Sequence, residues 1–319
     1  MEKNKLPIEN FLPESAKNAV VLLDGAVESS IFEEGLNISA ADDGLKISLA
    51  KNKTLSEPLY VVYIADKQAI KHKTKITLET SAELSIIEIF MGEVSSKASI
   101  SRNVHLNDNS KLNATVINLL NGGNNLEYAS FAELCTDSKL KNCNILLNDG
   151  SSVFEDITHT IGKGAEAEVS TIAISANKQK QKITTRIENL AQHSIGNIIN
   201  YGIAKDTARL EFNGIGKIHK GKTGVDNQQE TRILTLSKTA EAVANPFLLI
   251  DEGDITAGHA ATIGQINEEQ IYYLMSRGLS KSYAQKIIAQ GFLTPFIDNF
   301  IDNPNLKEQL LLIIGQKLD

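Results

Sequence analysis

The sequence has no tryptophan and only two cysteines, and aromatic residues make up 5% of its 319 positions. Few aromatics leave little material for the stacking platforms that hold single-stranded nucleic acid. Positive charge is also short, with 32 Lys+Arg against 39 Asp+Glu and a net charge of -7, whereas phosphate-backbone binding needs clustered cations. Cys135 and Cys143 are too few for a zinc ribbon or an iron-sulfur cluster, which take about four soft ligands. They are also too few for a secreted disulfide framework. Apolar runs are short: Leu310 to Ile314 falls far below a membrane span, and MEKNKLPIENFLPESAK offers no signal-peptide core. A soluble, cytoplasmic protein is therefore expected. What is plentiful is aliphatic, since 42% of residues are hydrophobic, enough for a full core built from Ile, Leu, Val and Ala.

From about residue 75 to 250 the pattern is one of short alternating runs, such as Leu84-Ser-Ile86, Val104-His-Leu106, Leu112-Asn-Ala114-Thr-Val116 and Leu210-Glu-Phe212, which read as strands. A small residue heading such a run recurs at Ala82, Ser110, Ser138, Ala165 and Ser194, in steps of 28, 28, 27 and 29 residues. A second run lies within each step, as at Ala98 to Ile100, Phe131 to Leu134 and Val153 to Ile157. Turns such as Asn121-Gly-Gly-Asn-Asn125 and Asn148-Asp-Gly150 separate them. Two strands per nearly fixed step predict the coils of a parallel β-helix, with a meandering sandwich as the alternative. After residue 266 the period becomes helical. Asn267 and Ser280 are expected N-caps, Gly278 and Gly291 expected stops, and Thr294-Pro295 and Pro304 expected starts, giving four short helices. The expected organisation is a mixed N-terminal segment over 1–65, a β-helix core over 66–265 and a small helical domain over 266–319.

One stretch spells a nucleotide-binding loop. Gly216-Lys-Ile-His-Lys-Gly221-Lys222-Thr223 satisfies the Walker A pattern, and Phe247-Leu-Leu-Ile-Asp251-Glu252 resembles a Walker B strand. Phosphate binding needs a helix opening at Lys222, and the residues after Thr223 are polar and then β-like, so a decoy is expected.

The C-terminal third carries a more specific signal. Pro246, Gly258-His259-Ala-Ala-Thr262-Ile-Gly264, Glu269-Gln270, Tyr273-Leu-Met-Ser-Arg277-Gly278 and Gly291-Phe292 resemble the SufB/SufD family of SUF iron-sulfur cluster assembly subunits. The likeness extends back through Phe212-Asn-Gly214 to Asp43-Gly44-Leu45. It is SufD-like: the SufB type has a cysteine ahead of the strand at Leu248 to Ile250 and Glu-His-Glu where this chain has Gly258-His259-Ala260. The resemblance implies a right-handed parallel β-helix (mainly β) with a C-terminal helical domain, and a non-enzymatic scaffold. It also implies two partners, a SufB-type paralogue met through the β-helix and a SufC-type ABC ATPase docked on the helices; for the chain alone, a homodimer through the same β surface is the alternative left open. His259 is then the candidate ligand for iron or a nascent cluster at the SufB junction, suited to it because a neutral imidazole is a borderline ligand. No cofactor is expected to be held stably by the chain alone, and many family members have a cysteine where this chain has Ala257. Tyr272, Tyr273, Met275, Arg277 and Phe292 are the residue types that anchor interfaces and are expected to face the ATPase. Compared with longer members, the chain is expected to have less of an N-terminal helical segment.

The remaining histidines, His72, His105, His159, His193 and His219, are read as structural, and the two cysteines as core packing. The competing function is a carbohydrate-active β-helix enzyme, for which Glu133, Asp137, Glu155 and Asp156 are the compact carboxylates. Glu155 and Asp156 are adjacent on a strand and therefore point to opposite faces.

Overall fold

The computed structural model describes residues 11–319 apart from 14, 42, 67, 68, 123, 124 and 302, so part of the Asn121–Asn125 turn lies outside the described residues. Two long sheets run side by side. The first contains β1 (Ala19–Leu23), β2 (Ala26–Ile31), β5 (Leu59–Asp66), β7 (Glu83–Glu93), β9 (Lys111–Asn121), β11 (Lys139–Leu146), β13 (Glu166–Ser175), β15 (Ile195–Ala204), β17 (Val225–Thr235) and β19 (Ile255–Gln265). The second contains β3 (Leu36–Ala41), β4 (Gly44–Leu49), β6 (Ile70–Leu78), β8 (Lys97–Leu106), β10 (Asn125–Leu134), β12 (Ser151–Thr160), β14 (Lys180–Asn189), β16 (Arg209–Ile218) and β18 (Glu241–Ile250). From β4 onward the chain alternates between sheets and each strand as far as β17 pairs in parallel with the strand two places further along, the mark of a two-sheeted solenoid.

The 27-to-29-residue step has a local cause. Ser81, Asn109, Asp137 and His193 adopt the left-handed conformation, with φ between 53° and 58°, and Gly164 (φ 69°) and Gly224 (φ 68°) do so at the equivalent turns. The next residue in each case begins an odd-numbered strand's approach and is buried: Ala82, Ser110, Ser138, Ser194, Ala165 and Val225. The hydroxyls of Ser110, Ser138 and Ser194 donate to the carbonyl three residues back, at 2.6, 2.7 and 2.9 Å. Each left-handed residue also donates its N–H to the next turn, as Asn109 does to Thr136 and His193 to Thr223. Five of these six corner side chains are Ala or Ser, and the sixth is Val225. At Gly224 a Cβ would lie 2.3 Å from the His193 ring, which also gives His193 a purely structural place.

Strands that begin before residue 66 belong to this same stack: β4 pairs with β6, and β5 with β7. The N-terminal segment is thus laid into the two sheets and not set apart from them.

Among the described residues three helices follow, not four: α1 (Glu268–Ser276), α2 (Lys281–Phe300) and α3 (Pro304–Leu318). Asn267, Ser280 and Asn303 cap them, and Gly278 (φ 91°) follows the end of α1. Gly291 and Pro295 do not interrupt α2. Proline deprives the Gly291 carbonyl of its partner, but the helix persists because Ala289, Leu293, Phe296 and Ile297, on both sides of the proline, are all buried in one cluster. The Thr294 hydroxyl donates to the Gln290 carbonyl at 2.8 Å beside the break.

That cluster shows where the helices lie. The outer-face side chains Ile89, Ile117, Leu119, Cys143, Ile145, Ile172, Ile174 and Ile203 pack with Leu293, Ile297, Leu310 and Ile314. The α2–α3 pair is therefore a cover folded back over the outside of the first sheet. Lysines tie it down: Lys141 donates to the Asn299 carbonyl (3.3 Å), Lys205 to that of Leu318 (2.9 Å), and the buried Lys317 to that of Asn148 (2.5 Å). Cys143 lies under this cover, and burial pushes its thiol well above the usual range.

Candidate functional site

The stack of coils ends at β18 and β19, each the last strand of its sheet and hydrogen-bonded on one side only. In the coils before them the lumen positions of both sheets are buried, and the outer face of the first sheet is largely covered. Here the same alternation leaves apolar groups in the open: Phe247 and Leu249 are 47% exposed and Ile263 48%, with Ile250 close behind. An unpaired strand edge with exposed apolar side chains is a template for another chain.

His259 lies on β19 in register with Gln229 of β17, and that row continues inward through Ile198, Val169, Asn142 and Ala114. All of these are buried on the lumen side. The imidazole thus occupies the lumen face of the last strand, exposed at the solenoid's open mouth. Directly behind it, Gln229 donates to the Phe247 carbonyl at 3.0 Å, linking β17 to β18. The Oε1 of Gln229 and the Oδ1 of Asn227 have no partner. Glycine makes this arrangement fit. A Cβ on Gly216 would come within 2.3 Å of Asn227 and 2.7 Å of Gln229, so the amides pack against bare backbone. Among the described residues no three His, Cys, Asp or Glu side chains converge on a point that would hold a metal ion. A cluster at His259 would need ligands from another chain.

The Walker-like letters have another role. Gly216 to Ile218 end β16, His219 to Gly224 form the turn, and residue 225 opens a strand where a phosphate site needs a helix. The Glu252 carboxylate accepts from the Gly221 N–H at 2.7 Å, so the two Walker-like segments join as stacked turns. Backbone N–H groups of Gly253, Gly221 and Asp254 hold its carboxyl below the usual range.

The carboxylates proposed for a polysaccharide-cleaving site are not brought together. Asp156 is buried in the lumen, Glu155 is exposed on the outer face, and Glu133 lies on the outer face 3.6 Å from His105. Asp137 occupies a left-handed turn. His105, Glu133, His159, Glu188 and Lys217 instead form one outer row across β8, β10, β12, β14 and β16, where Glu188 also meets His219 at 2.8 Å. His72 is buried against Tyr63 and Phe90, and burial lowers its pKa to about 4.

Of the residues expected to face an ATPase, four share one helix. Tyr272 (75% exposed), Tyr273, Met275 and Arg277 project from α1 or its C-cap, with the Arg277 guanidinium 5.4 Å from the Tyr273 ring. Phe292 does not join them. It is half-buried on α2, 5.4 Å from the Tyr201 ring, and packs the cover onto the first sheet. Sequence reasoning missed Tyr283 and Ile287, exposed on the first half of α2, because their spacing reads as an ordinary buried stripe. A groove of about 490 Å³ lined by Asn267, Gln270, Tyr273, Leu274 and Ile288 runs between the two helices.

The fold and its end define a class: a parallel β-solenoid with a helical cover and a last coil whose two parallel strands are each unpaired along one edge. Over residues 61–292 the sequence matches the family described as SUF system FeS cluster assembly, SufBD core domain. It is 33% identical to the iron-sulfur cluster assembly protein SufD of Bacillus subtilis, over 89% of this chain and 66% of that protein. Against SufD of Escherichia coli it is 24% identical over 93% of this chain and 71% of the relative. SufB of Bacillus subtilis matches over 42% of this chain and 29% of its own length, at 28% identity. The chain belongs to the SufB/SufD family of iron-sulfur cluster assembly proteins and is of the SufD type. Among the described residues no helix is long and apolar enough to cross a membrane.

Proposed function

We propose that the chain is the non-enzymatic scaffold subunit of a SufBCD-like complex. Its last coil pairs with a SufB-type paralogue, and α1 with the start of α2 docks a SufC-type ATPase. The observation that carries the reading is the unfinished end, where two unpaired parallel edges expose Phe247, Leu249 and Ile263 beside His259. A homologous solenoid end is the partner that continues both sheets at once, because it offers the same strand spacing and the same two-sheet cross-section. His259 then contributes one imidazole to iron or a nascent cluster, which is cargo, and the paralogue contributes the thiolates. The exposed aromatics of α1 and Arg277 suit a protein interface.

Co-expression with SufB-type and SufC-type chains tests this. The wild type is expected to co-purify with both and to carry iron and acid-labile sulfide. Phe247→Glu with Leu249→Glu should release the SufB-type chain only, and Tyr272→Ala with Arg277→Ala the SufC-type chain only. His259→Ala should keep both partners and lose cluster content. Full partner binding by the Phe247/Leu249 variant would sink the pairing surface, and unchanged cluster content in His259→Ala would remove the ligand role alone.

A further inference from the structure

The lumen of a solenoid is ordinarily apolar, and the early coils keep to this through Leu84, Leu112 and Leu140 and through Leu106 and Leu134, although the latter row goes on to the buried Thr160 and Asn189. Two facing rows are polar over most of their length. On the first sheet Asn144, Thr171, Asn200 and Thr231 are stacked in register across β11, β13, β15 and β17. On the second, Arg102, Ser130, Asp156 and Thr185 are stacked across β8, β10, β12 and β14. All eight are buried.

At one end the polar groups are linked by an ion pair and amide hydrogen bonds, with the Nη2 of Arg102 left without a partner. Arg102 lies 2.8 Å from Glu88 and donates to Asn142 at 2.9 Å, while Asn142 and Asn144 donate to Asp156 at 2.8 and 3.1 Å. Toward the mouth Asn200 donates to Thr231 at 3.3 Å. Between these two linked groups the chain of bonds is broken. The hydroxyls of Thr158, Thr171 and Thr185 and the Oδ1 of Asn200 are buried without partners. They occupy the adjoining strands β12 to β15, which pack on one another across the lumen. Four unpaired buried oxygens in one short stretch are costly in a dry interior, whereas one ordered water satisfies about three such groups.

We propose that this stretch is a binding site for internal water, and that Thr171, Thr185 and Asn200 hold ordered molecules joining the Asp156 cluster to the Asn200–Thr231 pair. The lumen then carries a continuous hydrogen-bonded seam from Arg102 to the coil beneath the open mouth. The inference is independent of any partner.

A high-resolution crystal structure of the chain, with oxygen-17 relaxation dispersion of the same protein in solution, tests it. The expected result is water density at hydrogen-bond distance, roughly 2.7–3.0 Å, from the Thr171 and Thr185 hydroxyls, with long-lived water in solution. In Thr171→Val/Thr185→Val that density and part of the dispersion should vanish, and the melting temperature should fall by about 2–4 °C. A dry stretch in the wild type overturns the proposal. So does a higher melting temperature in the valine variant, the result expected when a methyl replaces an unpaired hydroxyl. A peak with markedly shorter oxygen contacts that depends on added salt marks a cation and overturns it too. Should the double variant fail to fold, Thr185→Val alone supplies the same comparison, and the wild-type density decides by itself.

Discussion

The middle coils and the last coil are made from the same strand pair, yet they meet opposite surroundings. In β13 both faces are covered: Val169 and Ala173 fill the lumen, while Ile172 and Ile174 lie beneath the helical cover. In β18 and β19 neither sheet has a further neighbour, so Ile263, in the lumen row of Ala173, is exposed at the mouth, and Phe247 and Leu249 are bare on the outer face of the second sheet. Two lumen histidines show the same contrast. His72, near the start, is held neutral among Tyr63 and Phe90, whereas His259, at the end, is exposed. Apolar content is therefore no guide to which coil supplies stability and which supplies a surface; the deciding variable is whether a neighbour is already in place.

The comparison is broken hardest in the covered region. Leu293→Ala opens a cavity between α2 and the first sheet, where the side chain is fully buried, and is expected to cost about 2–5 kcal/mol in chemical denaturation. A loss below about 1 kcal/mol would mean that the cover is only loosely seated.

His72 sharpens the contrast through pH. Its folded pKa is about 4 because burial disfavours the charged ring, against about 6.5 in the unfolded chain. As pH falls from about 6.5 toward 4 the unfolded state takes up a proton that the folded state refuses, so stability declines across that window, by about 3 kcal/mol in all, and this contribution levels off below it. His72→Phe should remove that part of the pH dependence in denaturant titrations, while His259→Phe should leave it in place.

The smallest effect on folding is expected at the open end. Leu249→Glu should change the stability of the isolated chain by no more than about 0.5 kcal/mol, since the side chain is half in solvent already. Its effect should appear in association, as a loss of homodimer or paralogue binding in sedimentation. A large folding defect in this variant would show that Leu249 belongs to the chain's own core.

Much of the fold was legible because the turns repeat a chemical requirement. A left-handed residue followed by a small buried one recurs at the corner that leads into successive odd-numbered strands, so Ala82, Ser110, Ser138, Ala165 and Ser194 announced the coil length. The caps at Asn267 and Ser280 were readable for the same local reason. The path of α2 was not, since Gly291 and Pro295 are local stop signals that burial of the flanking side chains overrode. Phe292 was read as a partner contact because an aromatic residue at helical spacing looks the same whether it meets Tyr201 or another protein. At the candidate site the residue type and family of His259 were legible, but its neighbours were not: Gln229 is 30 positions away and becomes adjacent only through parallel register.

The scarcity of cysteine and aromatic residues, the coil period and the helix caps were fixed by the sequence alone, because each depends on composition or on a few consecutive residues. Tertiary structure decided the rest: which apolar side chains are core and which are surface, that α2 and α3 cover the first sheet, that the Walker-like letters are stacked turns, and that a polar seam lines the lumen. The physical reason is that stacking places residues about 28 positions apart into contact, and the free energy of a buried isoleucine or an unpaired hydroxyl is set by those distant neighbours.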